Sequence, residues 1–219
     1  MSQWAKYDAY LFDLDGTLVD TAPDINAALN HALTNAGLGQ VNESLTRHWV
    51  GHGSKILIDQ ALRHHACVND NIETLLKDFL AYYRENLASN SMVYPGVSDT
   101  LHRMIDRGAK LAVVTNKLEE LSLPLLKQIG IHDLFDAIVC GDTASAPKPD
   151  AAPIYYCLKA LGRIAISDAL FVGDSDTDVK AANAAGMDVV CVRDGYNHGT
   201  DVTTLKLNGV IDNFVELLA

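Results

Sequence analysis

The 219-residue sequence lacks the features that mark several classes of protein. It has only four cysteines, widely spaced and without a CxxC pair, which argues against a zinc site or a disulfide framework and favours a reducing compartment. Its 17 basic residues are outnumbered by 28 acidic ones, and without a basic stripe a nucleic-acid partner is not expected. No apolar run is long enough to span a bilayer, and the first ten residues lack the basic start and apolar stretch of a signal peptide. We therefore expect a soluble cytoplasmic protein that binds neither nucleic acid nor membranes.

The chain is organised around residues 7–19, which read YDAYLFDLDGTLV. A short apolar run rich in aromatic and branched side chains leads directly into Asp13, and Gly16 ends it, as is typical of a buried strand. Asp13 then lies at the carboxyl end of that strand, where open α/β sheets bind ligands. A simple turn would explain an Asp-Gly pair. Asp13, Asp15, Gly16 and Thr17 together after a buried strand favour a site that holds a cation between two carboxylates.

The rest of the chain divides into two patterns. Residues 20–91 show only helical periodicity, with apolar stripes separated near residues 51–53 and 68–71. From residue 98 onward, short apolar strands alternate with helices, which indicates a parallel sheet with helices on both faces. The sequence predicts an α/β, Rossmann-like core formed by residues 1–19 and 92–219. An inserted, all-helical cap domain is predicted for residues 20–91.

Each predicted core strand ends in polar residues that converge on one rim of the sheet. They are Asp13 and Asp15, Thr115 and Asn116, and Asp174 with Asp178, and Lys148 lies in a loop before a helix. Carboxylates without histidine or thiolate ligands select Mg²⁺ over zinc or copper. Because a bound Mg²⁺ and an ammonium together attract an anion, the sequence predicts a small phosphorylated substrate.

The charges suggest a mechanism. A carboxylate that attacks a phosphate dianion is repelled unless cations first neutralise the phosphoryl oxygens. Mg²⁺ and Lys148 would supply this neutralisation, and the Thr115 hydroxyl would bind another oxygen. Asp13 is then the candidate nucleophile, and Asp15 the candidate acid and base. Asp178, one helical turn after Asp174, would hold a metal-bound water or orient Lys148.

Four motifs, in order, resemble those of the haloacid dehalogenase-like phosphatases. They are Asp13-Leu14-Asp15-Gly16-Thr17, Thr115-Asn116, Lys148-Pro149 and Gly173-Asp174-Ser175-x-x-Asp178. The resemblance implies a Rossmann-like core with a helical cap, a nucleophile at Asp13 and an acid/base at Asp15. It implies Mg²⁺ ligation by the Asp13 side chain, the Asp15 backbone carbonyl and Asp174, with Thr115 and Lys148 binding phosphate. The presence of Asp15 speaks against the dehalogenases and phosphonatases of this family.

Two further stretches are similar to bacterial phosphoglycolate phosphatases: Trp49-Val50-Gly51-His52-Gly53 and Gly195-Tyr196-Asn197-His198-Gly199. The first either joins two cap helices or binds substrate. In the second case Gly53 and the next residue would offer free backbone N–H groups to a small carboxylate, and Lys55 or Arg47 would add charge. Asn197 and His198 of the second stretch are interpreted as plain loop residues, with a position beside the substrate as the alternative, and Asp176 as a solvated loop residue.

The sequence thus predicts a Mg²⁺-dependent phosphomonoester hydrolase that acts on 2-phosphoglycolate and is a monomer or homodimer. A phosphatase of another small metabolite, such as a phosphosugar or pyrophosphate, would keep every motif and differ only in the cap. A phosphomutase would also keep both aspartates. A non-enzymatic signalling domain that is phosphorylated on one aspartate is the alternative from a different class. Asp15, Thr17 and the long helical insert argue against it.

Overall fold

The computed structural model describes residues 3–67 and 72–218 of the chain. In this part of the protein the strands are β1 (Ala9–Phe12), β2 (Val19–Asp20), β3 (Met92–Val93), β4 (Lys110–Val114), β5 (Ala137–Val139), β6 (Ala169–Gly173), β7 (Asp188–Val192) and β8 (Gly209–Ile211). The α-helices are α1 (Ala22–Asn35), α2 (Glu43–Trp49), α3 (Ser54–His64), α4 (Ile72–Glu85), α5 (Val97–Asp106), α6 (Glu119–Gln128), α7 (Ala152–Ala160) and α8 (Asp176–Ala185). None of these helices combines the length and the apolarity needed to cross a membrane.

Six strands form one parallel sheet in the order β5-β4-β1-β6-β7-β8. Strand β1 lies at the centre, and its four side chains are completely or almost completely buried. Tyr10 and Phe12 pack into the hydrophobic cluster on one face, and Ala9 and Leu11 into the cluster on the other. Because both faces are covered, the strand shows no alternation of polar and apolar residues. The predicted fold class is confirmed.

Strand β1 also marks the position where the sheet order reverses, because β4 pairs with one of its edges and β6 with the other. In open α/β sheets, ligands bind beyond the carboxyl ends of the strands at this switch point. The backbone continues the ladder one residue past each strand. The Asp13 N–H donates to Val172 at 2.9 Å, and the Thr115 N–H donates to Val139 at 2.9 Å. The residues directly after β1, β4 and β6 therefore meet at one edge.

Helices α1–α4, called the cap helices below, follow β2 and precede β3. Their apolar faces form a third hydrophobic cluster of their own, which among the described residues also includes two buried core side chains, Leu121 and Tyr196. The domain boundaries given by residues 1–19, 20–91 and 92–219 stay a prediction. The predicted connection at residues 68–71 lies outside the described residues.

Two strands, β2 and β3, lie at the boundaries of the predicted cap, where no strand was predicted. They form an antiparallel ribbon of two residues each, in which Val19 pairs with Val93 and Asp20 with Met92. The buried Asp24 carboxylate joins the same two chain segments, because it accepts hydrogen bonds from the backbone N–H groups of Asn90 and Ser91 at 2.8–3.0 Å. Strands this short leave no periodic pattern, which explains why they were missed. The predicted last helix is a 3-10 helix, Phe214–Leu217.

Candidate active site

The structure brings Lys148 and Asp13 into direct contact at the edge of the sheet. The Lys148 Nζ lies 2.8 Å from Asp13 Oδ1 and 2.7 Å from Asp178 Oδ1, and all three side chains are buried. The second Asp178 oxygen accepts from the N–H groups of Asp174 and Ser175 and from the Ser175 hydroxyl. Because its acceptor positions are used in this way, Asp178 fixes the direction of the Lys148 ammonium.

Asp174 completes a group of three buried carboxylates. One oxygen each from Asp13, Asp174 and Asp178 lie within 4.8 Å of one another. Asp174 accepts a 2.6 Å hydrogen bond from the Thr17 hydroxyl and another from the Tyr196 N–H. At Gly195, a Cβ would come within 2.1 Å of the Asp174 Cβ, so only glycine allows the backbone to pass this close to the carboxylate.

This carboxylate group fits a divalent cation. Burial, followed by the negative charge of Asp178, raises the pKa of Asp13 to about 7, although Lys148 acts in the opposite direction. Burial and the negative charges of Asp178 and Asp13 raise the pKa of Asp174 well above its ordinary value. Three carboxylates this close repel one another unless they bind protons or a cation. Oxygen donors of this kind are the ligands that hard divalent ions prefer.

Asp15 contacts a lysine whose part in the site was not predicted. The Lys117 Nζ lies 2.9 Å from Asp15 Oδ1 and 3.3 Å from Oδ2, and it donates a 2.8 Å hydrogen bond to the Tyr83 hydroxyl. The Thr21 hydroxyl donates to the same Asp15 carboxylate at 2.6 Å. Burial alone would lower the pKa of Lys117, but Asp15 and Tyr83 raise it above its ordinary value. The signal was present in the sequence, because Lys117 directly follows Thr115-Asn116 at the end of β4.

A cavity with about 470 Å³ of empty space, part of it open to solvent, lies between this edge and the cap helices. Its floor comes from the strand ends and includes Asp13, Asp15 and Thr115. Its walls are mostly apolar cap side chains, among them Ile25, Leu57, Phe79 and Tyr83. Polar groups are therefore concentrated at the floor, and the opposite end of the cavity is mostly apolar.

The remaining predicted substrate-binding residues are divided between the cavity and the surface. Gly53 and Ser54 line the cavity at the first turn of α3, and no side chain caps that turn. Asn116 also lines it, although its amide is already bonded to the Gly51 and Lys148 backbones. Lys55 is not brought to this cavity. Its exposed ammonium lies 2.6 Å from Glu73, because the residue faces away from the strand ends on α3.

Arg47 likewise is paired elsewhere, with Asp20 and Glu43 at 2.7 Å each. Its guanidinium packs over the ring of Tyr196, a buried core residue that sequence reasoning missed. The Tyr196 hydroxyl accepts from the N–H groups of Thr21 and Ala22 at 2.9 and 2.8 Å, at the start of α1. A side chain of the core therefore caps the first cap helix, and its backbone N–H binds Asp174.

Comparison with known proteins agrees with this arrangement. Residues 10–192 match the sequence pattern of the haloacid dehalogenase-like hydrolases. The chain belongs to this family. The phosphoglycolate phosphatase of Colwellia psychrerythraea is 39% identical over 216 residues, covering 96% of this chain and 95% of that protein. The phosphoglycolate phosphatase of Pasteurella multocida is 39% identical over 213 residues, covering 94% and 95%.

Among solved structures, a "predicted phosphoglycolate phosphatase" from Haemophilus somnus superposes with a TM-score of 0.91 at 36% identity, covering 97% of both chains. The resemblance to haloacid dehalogenase-like phosphatases, and within them to phosphoglycolate phosphatases, is confirmed. The expectation of a phosphatase-type enzyme is confirmed with it.

We expect Lys117→Met to lower kcat at least about tenfold with a smaller change in KM, because Asp15 then loses the ammonium that orients it. Steady-state kinetics and thermal melting measure the two effects separately. Tyr83→Phe is the matched control, since it removes a different partner of the same ammonium and leaves the Lys117–Asp15 pair in place. A Lys117→Met variant that melts earlier but keeps the wild-type kcat would show that Lys117 only supports the fold.

Proposed function

We propose that the protein is a Mg²⁺-dependent phosphomonoester hydrolase that converts 2-phosphoglycolate to glycolate and phosphate through an aspartyl-phosphate on Asp13. The observation that carries the proposal is the contact of Asp13, which lies on the floor of a small cavity, with Lys148 beside two further buried carboxylates. The Asp13 carboxylate can approach a phosphate dianion there because the Lys148 ammonium offsets the repulsion between the two anions.

In the first step, an Asp13 carboxylate oxygen attacks phosphorus and the bond from phosphorus to the ester oxygen breaks. Asp15 donates a proton to that oxygen as glycolate leaves. In the second step, Asp15 takes a proton from water, the water oxygen bonds to phosphorus, and the Asp13–phosphorus bond breaks. The Lys148 ammonium and the Thr115 hydroxyl bind phosphoryl oxygens in both steps.

Asp13, Asp174 and the Asp15 backbone carbonyl are the proposed Mg²⁺ ligands. When bound, the ion would neutralise the phosphoryl oxygens and offset the repulsion among the carboxylates. Asp178 would act through Lys148, whose ammonium it orients. The four cysteines are free thiols, which supports a cytoplasmic location.

The choice of substrate rests on the cap and on the relatives. Free N–H groups at the first turn of α3, at Gly53 and Ser54, suit a carboxylate at the far end of a short phosphoester. Two relatives that align with nearly the whole chain are phosphoglycolate phosphatases. The apolar walls disfavour a polyhydroxylated sugar, whose hydroxyl groups would be left without hydrogen-bond partners.

The test is a turnover screen of small phosphoesters, phosphosugars and pyrophosphate at fixed Mg²⁺. We expect 2-phosphoglycolate to have a kcat/KM at least about tenfold above the others, since each 1.4 kcal/mol of differential transition-state binding is tenfold. A preference for a phosphosugar or pyrophosphate would contradict the substrate. Dependence on a bisphosphate activator would indicate a mutase, and no hydrolysis of any compound, p-nitrophenyl phosphate included, would contradict the enzyme.

Lys55→Ala belongs in the same screen, because the sequence placed Lys55 at the substrate. Lys55 does not line the cavity, and its exposed ammonium is paired with Glu73 at the surface. We therefore expect kcat/KM within about twofold of the wild-type value for every substrate. A loss confined to 2-phosphoglycolate would restore Lys55 as a substrate ligand.

Removal of Mg²⁺ should abolish turnover, and its return should restore it.

The stabilisation that Mg²⁺ gives should also depend on pH. The pKa of Asp13 is raised to about 7, against 3.8 for an ordinary carboxyl, so protonation of Asp13 favours the folded state. The metal-free fold therefore loses stability as the pH rises from the lower of these values to the higher. Mg²⁺ binds the deprotonated group, so the increase in Tm at a fixed Mg²⁺ concentration should be larger at about pH 8 than at about pH 5.5. An equal increase at both values would contradict a Mg²⁺ site at this carboxylate.

A further inference from the structure

A second group of ligand atoms lies where the cap helices meet the core, and its residues do not line the catalytic cavity. His52 is in the loop between α2 and α3, Asp176 is the first residue of α8, and His198 follows β7. One ligand atom from each lies within 4.8 Å of the others, and the two imidazole centroids are 4.4 Å apart. No local sequence pattern indicates this group, because its members lie far apart in the chain and each alone resembles an ordinary loop residue.

His198 is held in the orientation of a metal ligand. Its Nε2 lies 2.5 Å from the Val50 carbonyl oxygen, which only accepts, so Nε2 carries the hydrogen and a neutral ring has its lone pair on Nδ1. That Nδ1 faces Asp176 Oδ1 at 3.4 Å. Metal-binding histidines typically donate their other N–H to a backbone carbonyl or a carboxylate, which fixes the tautomer and the ring direction.

The backbone around His198 is also unusual. His198 has a φ of 55°, in the left-handed region that side-chain-bearing residues rarely occupy. Gly51, with a φ of 121°, approaches the ring so closely that a Cβ would lie 2.8 Å from His198 Nε2. A left-handed backbone conformation costs free energy at a residue with a side chain and persists only where the surrounding structure stabilises it. At His198 this conformation directs the imidazole toward His52 and Asp176.

We propose that His52, Asp176 and His198 bind one divalent transition-metal ion of the zinc class, which joins the cap loop to the core. Two imidazoles and one carboxylate, with a fourth position left for water, are a recurrent zinc-binding set, and imidazole ligands distinguish it from a magnesium site. The Lys180 ammonium pairs with the other Asp176 oxygen, Oδ2, and leaves Oδ1 toward the ring. Since Gly51 and Gly53 line the catalytic cavity, an ion held here restrains the loop that covers it.

The test is a titration of the full-length protein with Zn²⁺ against a chromophoric chelator, with Mg²⁺ saturating so that the carboxylate group is occupied. Co²⁺ is the spectroscopic probe, because its visible absorption reports nitrogen ligation. We expect one equivalent in the wild type, and binding at least about tenfold weaker in His52→Ala and in His198→Gly. The glycine suits the positive φ and therefore removes the ring without straining the backbone.

His102→Ala is the matched control, because it removes a histidine from the exposed surface of α5 and should bind as the wild type does. A second measurement is the Tm, which Zn²⁺ should raise in the wild type and in His102→Ala but not in His52→Ala. Equal Zn²⁺ affinity in the wild type and His52→Ala would overturn the proposal. The result does not depend on the phosphatase proposal, since neither measurement uses turnover.

Discussion

An Asp13→Asn variant is expected to lose phosphoester hydrolysis by a factor of at least about 10⁴ while remaining folded. Asparagine has nearly the same shape as aspartate, but its amide is not a nucleophile toward phosphorus, so no aspartyl-phosphate forms. The fold should be retained because Lys148 keeps its 2.7 Å pair with Asp178, and removal of one of three crowded carboxylates lowers their repulsion. We therefore expect a Tm at or above the wild-type value.

Hydrolysis of p-nitrophenyl phosphate and of 2-phosphoglycolate measures the first effect, and a thermal melt measures the second. Asp133→Asn is the matched control, because its side chain is fully exposed and the same substitution there should change neither quantity. If Asp13→Asn retained even a hundredth of the wild-type kcat, Asp13 would not be the nucleophile.

The second large effect is expected for Lys148→Met, which should reduce both turnover and stability. Loss of a cation that binds the phosphoryl group costs about 10² to 10³ in kcat. The substitution also leaves Asp13 and Asp178 buried side by side without a positive partner, and breaking a buried pair in this way costs about 3–5 kcal/mol of unfolding free energy. Saturating Mg²⁺ should recover part of that stability, since the ion supplies the missing positive charge.

Urea unfolding with and without Mg²⁺ measures this difference, and the increase on adding Mg²⁺ should be larger for Lys148→Met than for the wild type. Lys110→Met provides the comparison at the surface, where its half-exposed ammonium pairs with Asp136. We expect that control to cost at most about 1 kcal/mol. A Lys148→Met protein as stable as this control would contradict the role of Lys148 at the carboxylates.

Much of the core was predictable because its signals are local. The end of β1 just before Asp13 follows from four consecutive apolar residues and from Gly16 shortly after them, and the parallel order follows from alternating strands and helices. Strand pairs of two residues, such as β2 and β3, carry no such pattern. The sequence pattern predicts α8 from Asp178, two residues after its observed start at Asp176, because Ser175 and Asp178 were assigned to the site motif and not to a capping box.

In the candidate site, too, some contacts could be expected from the sequence and others could not. Strand ends meet at one edge by topology, so the proximity of Asp13, Asp174 and Lys148 could be expected from their positions in the chain. Lys117 could also be expected beside Asp15 from its position after β4, but its other partner, Tyr83, could not, because Tyr83 reaches the core only when a cap helix packs against it. Lys55 was assigned to the substrate by its charge and its nearness in sequence to Gly53. The direction of its side chain, however, depends on its position in the first turn of α3.

The antiparallel ribbon of β2 and β3 and the Asp24 carboxylate beside it have a consequence for motion. The chain passes between the sheet and the cap helices through these two segments, and the hydrogen bonds that Asp24 accepts connect them on the cap side. We expect a rotation of the cap helices that admits substrate to pivot at residues 19–21 and 91–93. Apart from Thr21, whose hydroxyl binds Asp15, replacement of the residues on this axis should alter how fast product leaves and not the bond-breaking steps.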